Sequence, residues 1–423
     1  MTADPEGEEF LEKLDKGYQT QVEAFINLIA VDELASYAEA INSPNHELWK
    51  KAMEEEMESL LDKNTFELVE RPEDRRIISC KWVWQIKRDS KGNIKRYKAR
   101  LVARSFTQIH GLNYLDTYAP VTRLETIRLL CAMANKNDWE IRHIDIKTAY
   151  LNSNINEEIY MEIPDGFMTD QFKTKVLHLK KAIYGLKQAG CQWYRKLREA
   201  LKQFGLIQTA SDPHTFITHK KVDGVDRTLI LSVYVDDLLP ISNKVLTDNF
   251  ERWIPQYFEV TKPTDAEYFL GLHILRNRKA EHPWITLDQH LFIKTIIDRF
   301  DIDKVKATVP LSSSFKALPN PDPVEKNDPK HIQAYQSKLG SLMYLMLGTR
   351  PDIAYAVGVL GRFSSNPSAD HLTAIDRLFN YIEHSKNLIL YYKKENGGKA
   401  ISPEGFVDAD LAREATKSRS TQL

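Results

Sequence analysis

Cysteine is scarce in this chain of 423 residues: Cys80, Cys131 and Cys191 are odd in number and far apart. That pattern excludes a disulfide frame and a thiolate zinc site, and it suggests reduced thiols in an intracellular compartment. No apolar run approaches the ~18 residues that a membrane span needs. The opening MTADPEGEEF is acidic where a secretory leader would be basic and then apolar, so secretion is not expected. There is no glycine-rich phosphate loop and no internal repeat, which sets aside P-loop and solenoid architectures. Against these absences, 42% hydrophobic and 28% charged residues are the proportions of an ordinary globular chain and argue against global disorder. The length suggests two to four folding units.

A net charge of -1 conceals an uneven distribution. Residues 1–60 hold 15 Asp/Glu against 4 Lys/Arg, whereas residues 71–104 hold 12 Lys/Arg against 3 Asp/Glu. The basic stretch reads either as a solvated surface or as a polyanion-binding face. Trp82, Trp84, Tyr97, Leu101 and Val102, interleaved with the cations, fit basic strands with one buried side, a shape suited to nucleic acid or nucleotide phosphates.

Hydrophobic periodicity gives the order of elements. Trp49, Met53, Met57, Leu60 and Leu61 recur at helical spacing. ISCKWVWQIKRDSKGNIKRYKARLVARSF reads as a hairpin turning at Ser90-Lys91-Gly92-Asn93. A helix is expected from Leu124 to Asn137, then a buried strand WEIRHIDI. Trp193, Leu197 and Leu201 mark another helix, NFERWIPQYF a further one, and EYFLGLHILRNR with PWITLDQ another hairpin. LPNPDPVEKNDP (318–329) has the composition of a linker. Helices follow in HIQAYQSKLGSLMYLMLGT and HLTAIDRLFNYIEH, the latter capped by Asn366 with Pro367, or by Ser368. Strand pattern returns from Leu388.

The chemistry sits in LSVYVDDLLP (231–240) and HIDI. Asp236 and Asp237 lie between apolar runs, and Asp145 ends a buried strand. A carboxylate taken out of water is costly unless compensated. A solvated turn and a strand-end cap are the plain structural alternatives. A divalent cation is the simplest compensation at both places, which could then be one site. Hard oxygen ligands suit magnesium or manganese, and a pair of ions about 4 Å apart is the usual arrangement for phosphoryl transfer by in-line attack. Pro240 raises the question whether the second hairpin strand loses a ladder donor.

The motifs LWKKAMEEEMESL, NTFELVERP, KWVWQIKRDSKGNIKRYKARLVARSFTQIHGLNYLDTYAPVTR, HIDIKTAYLNSNINEEIYMEIPDGF, AIYGLKQAGCQWY, YVDDLL, YFLGLHI and LGSLMYLMLGTRPDIAYAV occur in that order. Together they resemble the reverse transcriptases of copia-type LTR retrotransposons from about Leu48 to the C-terminus. The resemblance implies an α+β right-hand polymerase, with fingers, a palm built on an antiparallel sheet, a thumb or connection, and the truncated start of a ribonuclease H-like domain. The implied spans are an acidic helical extension (1–47), fingers and palm with a primer-grip hairpin (48–317), the linker (318–329), a helical thumb or connection (330–387) and the ribonuclease H-like start (388–423).

Carried over by motif, Asp145, Asp236 and Asp237 are the palm carboxylates holding two Mg2+ or Mn2+ ions, with Asp237 the weaker third. Tyr150 matches the aromatic that blocks a ribose 2′-hydroxyl, or else is a core aromatic. Lys98 and Arg100 match the triphosphate-holding residues, with Arg104 in reserve because the register is uncertain by about one residue. Gln188 matches a residue near the incoming sugar, or is a helix cap. Leu270 and Gly271 match the primer-grip hairpin, or else serve packing and a turn; Lys262 is a candidate general acid for pyrophosphate, and Asp408 matches the first ribonuclease H aspartate. The implied activity is RNA-directed DNA polymerisation on RNA and DNA template-primers with deoxynucleoside triphosphates. Its setting is intracellular, in cytoplasmic virus-like particles or the nucleus; no membrane is involved and the oligomeric state is open.

Ser105, Gly190-Cys191, LAREA and Pro240 depart from the usual family residues. With the missing downstream carboxylates, they make a fragment, a processed piece or a decayed copy the expectation, and no ribonuclease H activity is expected. The alternative function is a silent remnant that folds and binds nucleic acid. A phosphatase or receiver-like reading requires a βα alternation that the sequence lacks.

Overall fold

In the computed structural model the described residues are 34, 36–88, 94–104, 108, 122–302 and 305–394, with backbone stretches at 409–410 and 421–422. Asp408, the Ser90–Asn93 turn, Ser105 and most of the spans 1–47 and 388–423 lie outside them. The helices are α1 (Tyr37–Asn42), α2 (His46–Asp62), α3 (Leu124–Asn137), α4 (Ala189–Phe204), α5 (Lys244–Trp253), α6 (His290–Phe300), α7 (Pro329–Gly348), α8 (Ala354–Gly361) and α9 (Ala369–His384). The strands are β1 (Phe66–Glu70), β2 (Ile77–Ile78), β3 (Cys80–Arg88), β4 (Ile94–Ala103), β5 (Glu140–Asp145), β6 (Asn154–Met161), β7 (Lys175–Lys181) and β8 (Ile207–Gln208). They continue with β9 (Thr215–Val222), β10 (Val225–Tyr234), β11 (Asp237–Ser242), β12 (Thr264–Asp265), β13 (Tyr268–Phe269), β14 (Leu272–Asn277), β15 (Trp284–Asp288) and β16 (Leu390–Lys393). The chain is α+β, with sheets that are antiparallel except where β2 meets β6.

Two compact units divide the chain, residues 1–122 with 142–265 and residues 123–141 with 266–423. The expected spans cut it differently. The hairpin around Leu270 and Gly271 belongs to the second unit, and so do both flanks of the proline-rich stretch. Asn320 and Asn327 in that stretch donate their side-chain amides to Asn366 and to the Pro367 carbonyl, so it is pinned to the turn before α9. Ser368 is the N-cap of α9, in a capping box closed by His371.

In the first unit, the 3.6-residue period of α2 puts Trp49, Ala52, Met53, Met57 and Leu60 on one buried face. That face packs into a core with Trp82 and Trp84 of β3 and Ala99, Leu101 and Ala103 of β4, whose period of two turns alternate residues inward. A second core lies between the six-stranded sheet, ordered β12-β5-β11-β10-β9-β8, and the helices α4 and α5. The β9–β10 hairpin turns on Asp223-Gly224, both at positive φ, as a two-residue turn between twisted strands requires. Gly205 ends α4 at φ +89°, the left-handed position a helix C-terminus favours.

In the second unit, Ile127, Leu130, Cys131 and Ala134 form the buried face of α3. The sheet β13-β14-β15-β16 includes Leu390–Lys393, which pairs with β15. Arg350, only 1% exposed, is held by a bidentate pair to Asp352 at 2.9 and 2.7 Å and by the Ser385 hydroxyl at 2.6 Å. A buried guanidinium is tolerable because its fork is satisfied in this way.

Candidate active site

The site is assembled within the first unit from a strand end and a hairpin tip. Strand β5 stops at Asp145, whose N–H donates to the Thr261 hydroxyl at 3.1 Å and whose carbonyl accepts the Thr261 N–H at 2.8 Å. One residue on, the Ile146 N–H donates to the carbonyl of Asp236 at 2.8 Å. The backbone itself therefore brings the strand end and the DD turn together. Strands β10 and β11 are joined by Val235 and Asp236 alone, with Tyr234 facing Asp237 as the closing pair.

Val235 has φ +53°, a rare conformation for a β-branched residue and one that costs about 1–3 kcal/mol. Two side-chain contacts hold this strained hairpin. The Trp193 indole N–H of α4 donates to the Val235 carbonyl at 2.6 Å, and the Thr122 hydroxyl donates to the Val233 carbonyl at 2.7 Å.

Pro240 is buried on β11, an interior strand of the sheet and not an edge. Because the Val233 N–H points to His214, it is Ser232 and Tyr234 whose backbone groups face β11. Pro240 is opposite Leu231, a position that exchanges no hydrogen bond across the β10–β11 ladder. Its nitrogen therefore faces β5, so the donor that proline lacks is missing from that side of β11 and the β10–β11 hairpin keeps its ladder.

The charge of Asp237 opposes the ionisation of both Asp145 and Asp236. Burial, and then the Asp237 and Asp145 charges, push Asp236 up to about 6, against the pull of Arg100. Burial and the Asp237 charge likewise raise Asp145, while His143, Lys98 and Arg100 act the other way. The hydrogen bond from His143 Nε2 to Asp237 Oδ1, at 2.7 Å, is the main cause of an elevated His143 pKa. Hard carboxylate oxygens that repel one another fit a divalent cation, which would reverse these shifts. Among the described residues no three such side chains already form a finished ion cage.

Lys98 and Arg100 are half-buried two positions apart on β4, hence on one face of the strand, opposite Gln85 and Val83. The Arg100 guanidinium stacks over the Tyr184 ring at 4.6 Å, and Tyr184 meets Tyr150 edge-on at 4.7 Å. Tyr150 sits in a short 3-10 turn, Ala149–Asn152, and packs against both cores of the unit. Gln188 is 1% exposed and occupies the N-cap of α4, although its side chain makes no capping bond; its amide oxygen accepts from Gln108 at 3.1 Å and its nitrogen donates to Glu157 at 3.4 Å. Lys262 is exposed beside Thr261. Arg104 is exposed just past β4, its N–H bonded to the Ser79 carbonyl.

Leu270 and Gly271 belong to the second unit. They form the two-residue turn between β13 and β14, at φ +49° and +71°. The Tyr344 hydroxyl donates to the Leu270 carbonyl, and a Cβ at Gly271 would come within 2.3 Å of that hydroxyl.

Four contributors escape sequence reasoning. His143 has a sequence signal, since in HID it shares a strand face with Asp145. Trp193 and Tyr184 are aromatics of the AIYGLKQAGCQWY segment whose partners are distant in sequence. Glu56 of α2, its pKa raised by burial, accepts the Leu101 N–H at 3.3 Å beside Arg100.

Comparison with known proteins places the chain in a family. The family described as reverse transcriptase (RNA-dependent DNA polymerase) matches residues 63–313. The chain is 35% identical over 393 residues to the "Retrovirus-related Pol polyprotein from transposon TNT 1-94" of Nicotiana tabacum, covering 92% of this chain and 29% of that protein. It is 34% identical over 376 residues to the corresponding RE1 polyprotein of Arabidopsis thaliana, covering 88% and 25%. A "Putative transposon Ty5-1 protein" of Saccharomyces cerevisiae is 30% identical over 268 residues, 63% of this chain and 82% of that protein. The chain thus spans between a quarter and a third of the two plant polyproteins.

Proposed function

The chain belongs to the reverse transcriptase family, among the Pol proteins of copia-type LTR retrotransposons, and from that premise we propose that it is an RNA-directed DNA polymerase extending a primer 3′ end. The observation that carries the proposal is the Ile146-to-Asp236 backbone bond, which joins the strand end bearing Asp145 to the tip bearing Asp236 and Asp237. In this reading the six-stranded sheet is the palm and the β3–β4 hairpin belongs to the fingers. The second unit would contain the primer-grip hairpin and the thumb or connection.

Asp145 and Asp236 would be the main ligands of two Mg2+ or Mn2+ ions and Asp237 the third. Such ions, when bound, lower the pKa of an attacking hydroxyl and neutralise charge on the transferred phosphorus. The protein's own part is to place groups. Lys98 and Arg100, on one strand face, supply positive charge for the triphosphate. Tyr184 fixes the Arg100 guanidinium and buttresses Tyr150, which would exclude a ribose 2′-hydroxyl. Gln188 would contact the incoming sugar only by exchanging its bonds to Gln108 and Glu157, so its first role is to hold the segment before α4. Lys262, exposed next to Thr261, would protonate departing pyrophosphate. RNA and DNA template-primers and deoxynucleoside triphosphates are the proposed partners, in a virus-like particle or nucleus.

Magnesium-dependent primer extension on an RNA template, beside Asp236→Asn, tests the proposal. Extension by the wild type and none by the variant is expected. Equal inactivity of both, with template-primer still bound, would establish a silent nucleic-acid-binding remnant instead.

A further inference from the structure

His143 has no place in the carboxylate assignment, yet it is the side chain that touches Asp237. On β5 it lies two residues before Asp145, on the same strand face, and its backbone is paired with Thr264 of β12. The strand that carries one carboxylate therefore also carries the group that holds another. His143 Nε2 and Asp237 Oδ1 are 2.7 Å apart, with both side chains about two-thirds buried (29% and 34% exposed). Asp237 needs such a restraint: at the head of β11 it faces the charges of Asp145 and Asp236, and an unrestrained carboxylate would relieve that repulsion by turning towards water.

We propose that His143 is a positioning residue, fixing Asp237 through this hydrogen bond and so setting how tightly the carboxylate site holds a divalent cation. The inference rests on the reading of Asp145, Asp236 and Asp237 as cation ligands. Removing an outer partner that orients a metal-binding carboxylate ordinarily weakens metal affinity about 10–100-fold. Gln at this position keeps an N–H near the place of Nε2, whereas Leu keeps bulk and loses the donor.

The test is Mn2+ binding to the full chain without nucleotide or template-primer, followed by the loss of the free Mn2+ paramagnetic resonance signal. Wild type, His143→Gln, His143→Leu and Asp236→Asn are compared, each checked for a cooperative thermal transition. Expected is strong weakening in Asp236→Asn, a roughly 10-fold or greater loss in His143→Leu, and near-wild-type affinity in His143→Gln. Should His143→Leu fail to fold, His143→Ala replaces it at this partly exposed position. Unchanged binding in the Leu or Ala variant, with binding abolished by Asp236→Asn, would overturn the positioning role alone. Equal loss in His143→Gln and His143→Leu would make His143 a direct ligand and also overturn it. Mn2+ binding indifferent to Asp236→Asn would instead reject the cation site on which the inference stands.

Discussion

The indole N–H of Trp193 donates to the carbonyl of Val235, 2.6 Å away, so a helix core residue holds the most strained peptide of the carboxylate hairpin. The bond explains how a β-branched residue persists at positive φ between two apolar strands. Surrounding structure must over-determine such a conformation, and the buried indole does so from the helix side while Thr122 holds Val233.

Trp193→Phe retains most of the ring and removes only the donor. A buried carbonyl left unpaired costs about 1–3 kcal/mol. The variant should lose about that much unfolding free energy in urea and extend primers at least several-fold more slowly, with template-primer affinity unchanged. A fall in stability with full extension rate would show that the turn keeps its aim without the indole.

Asp236 carries a pH signature of its own. Its folded pKa of about 6 exceeds the ordinary carboxylate value of about 3.9, so the folded chain binds the proton more tightly than the unfolded one. The resulting penalty is fully present above pH 6 and fades as pH falls towards 4. In EDTA, Asp236→Asn should stabilise the protein by about 1–3 kcal/mol at pH 8 and by almost nothing at pH 4. Urea unfolding at both pH values measures it, and equal stability of the two proteins at pH 8 would count against a strained carboxylate cluster.

What the sequence discloses follows from locality. The helix Leu124–Asn137 and the strand ending at Asp145 are legible because their periods are set by neighbouring residues. The DD pair is legible because two carboxylates amid apolar runs demand an explanation. The Pro240 question could not be answered that way. It depends on which side of β11 its nitrogen faces, a matter of register with β10 and of the strand's interior place in the sheet. Trp193 and His143 likewise act on residues 42 and 94 positions away, where no periodicity reaches. The proline-rich stretch shows the same limit. Its prolines and polar residues describe an irregular chain, but only tertiary bonds from Asn320 and Asn327 reveal that it is anchored.

Gly185 should be intolerant of any side chain. Its φ is +87°, and a Cβ there would lie 2.2 Å from the Ala103 carbonyl oxygen. That close approach allows the Tyr184 carbonyl to accept the Ala103 N–H at 2.8 Å, which docks Tyr184 against the strand carrying Arg100. Gly185→Ala is expected to cost at least about 2 kcal/mol, since neither backbone can yield cheaply. A thermal transition within a degree of wild type would contradict this reading of the AIYGL motif.

The Arg350–Asp352 pair should make the second unit sensitive to acid. Burial pushes the Asp352 carboxyl up, but the Arg350 bonds and charge and the Tyr381 hydroxyl outweigh it and leave its pKa below the ordinary value. A lowered carboxylate contributes stability above its unfolded value and loses it as pH falls through the folded value. Arg350→Met should therefore destabilise at pH 7, because it removes the bidentate partner that holds the Asp352 carboxylate, and the difference from wild type should narrow below pH 4. Chemical unfolding followed by the fluorescence of Trp284, in a variant retaining only that tryptophan, reports on this unit. A gap that stays constant with pH would mean that Arg350 acts through packing alone.

Sugar selection offers the sharpest test of the contact between Tyr150 and Tyr184. If Tyr150 blocks a 2′-hydroxyl, Tyr150→Val should admit ribonucleotides, raising their incorporation relative to deoxynucleotides at least tenfold. Tyr150 does not stand alone, for Tyr184 meets it edge-on at 4.7 Å and itself lies under Arg100. Tyr184→Leu keeps an apolar side chain but removes both ring contacts, so it should relax selection in the same direction, by less, and raise KM for every triphosphate through the loosened guanidinium. Tyr184→Phe preserves both ring contacts and should behave as wild type. Single-nucleotide extension with matched ribo- and deoxynucleoside triphosphates separates these effects. Unchanged selectivity in Tyr150→Val would remove the gate assignment, whereas a Tyr184→Leu enzyme altered in KM alone would leave the gate in place and show that Tyr184 serves only Arg100.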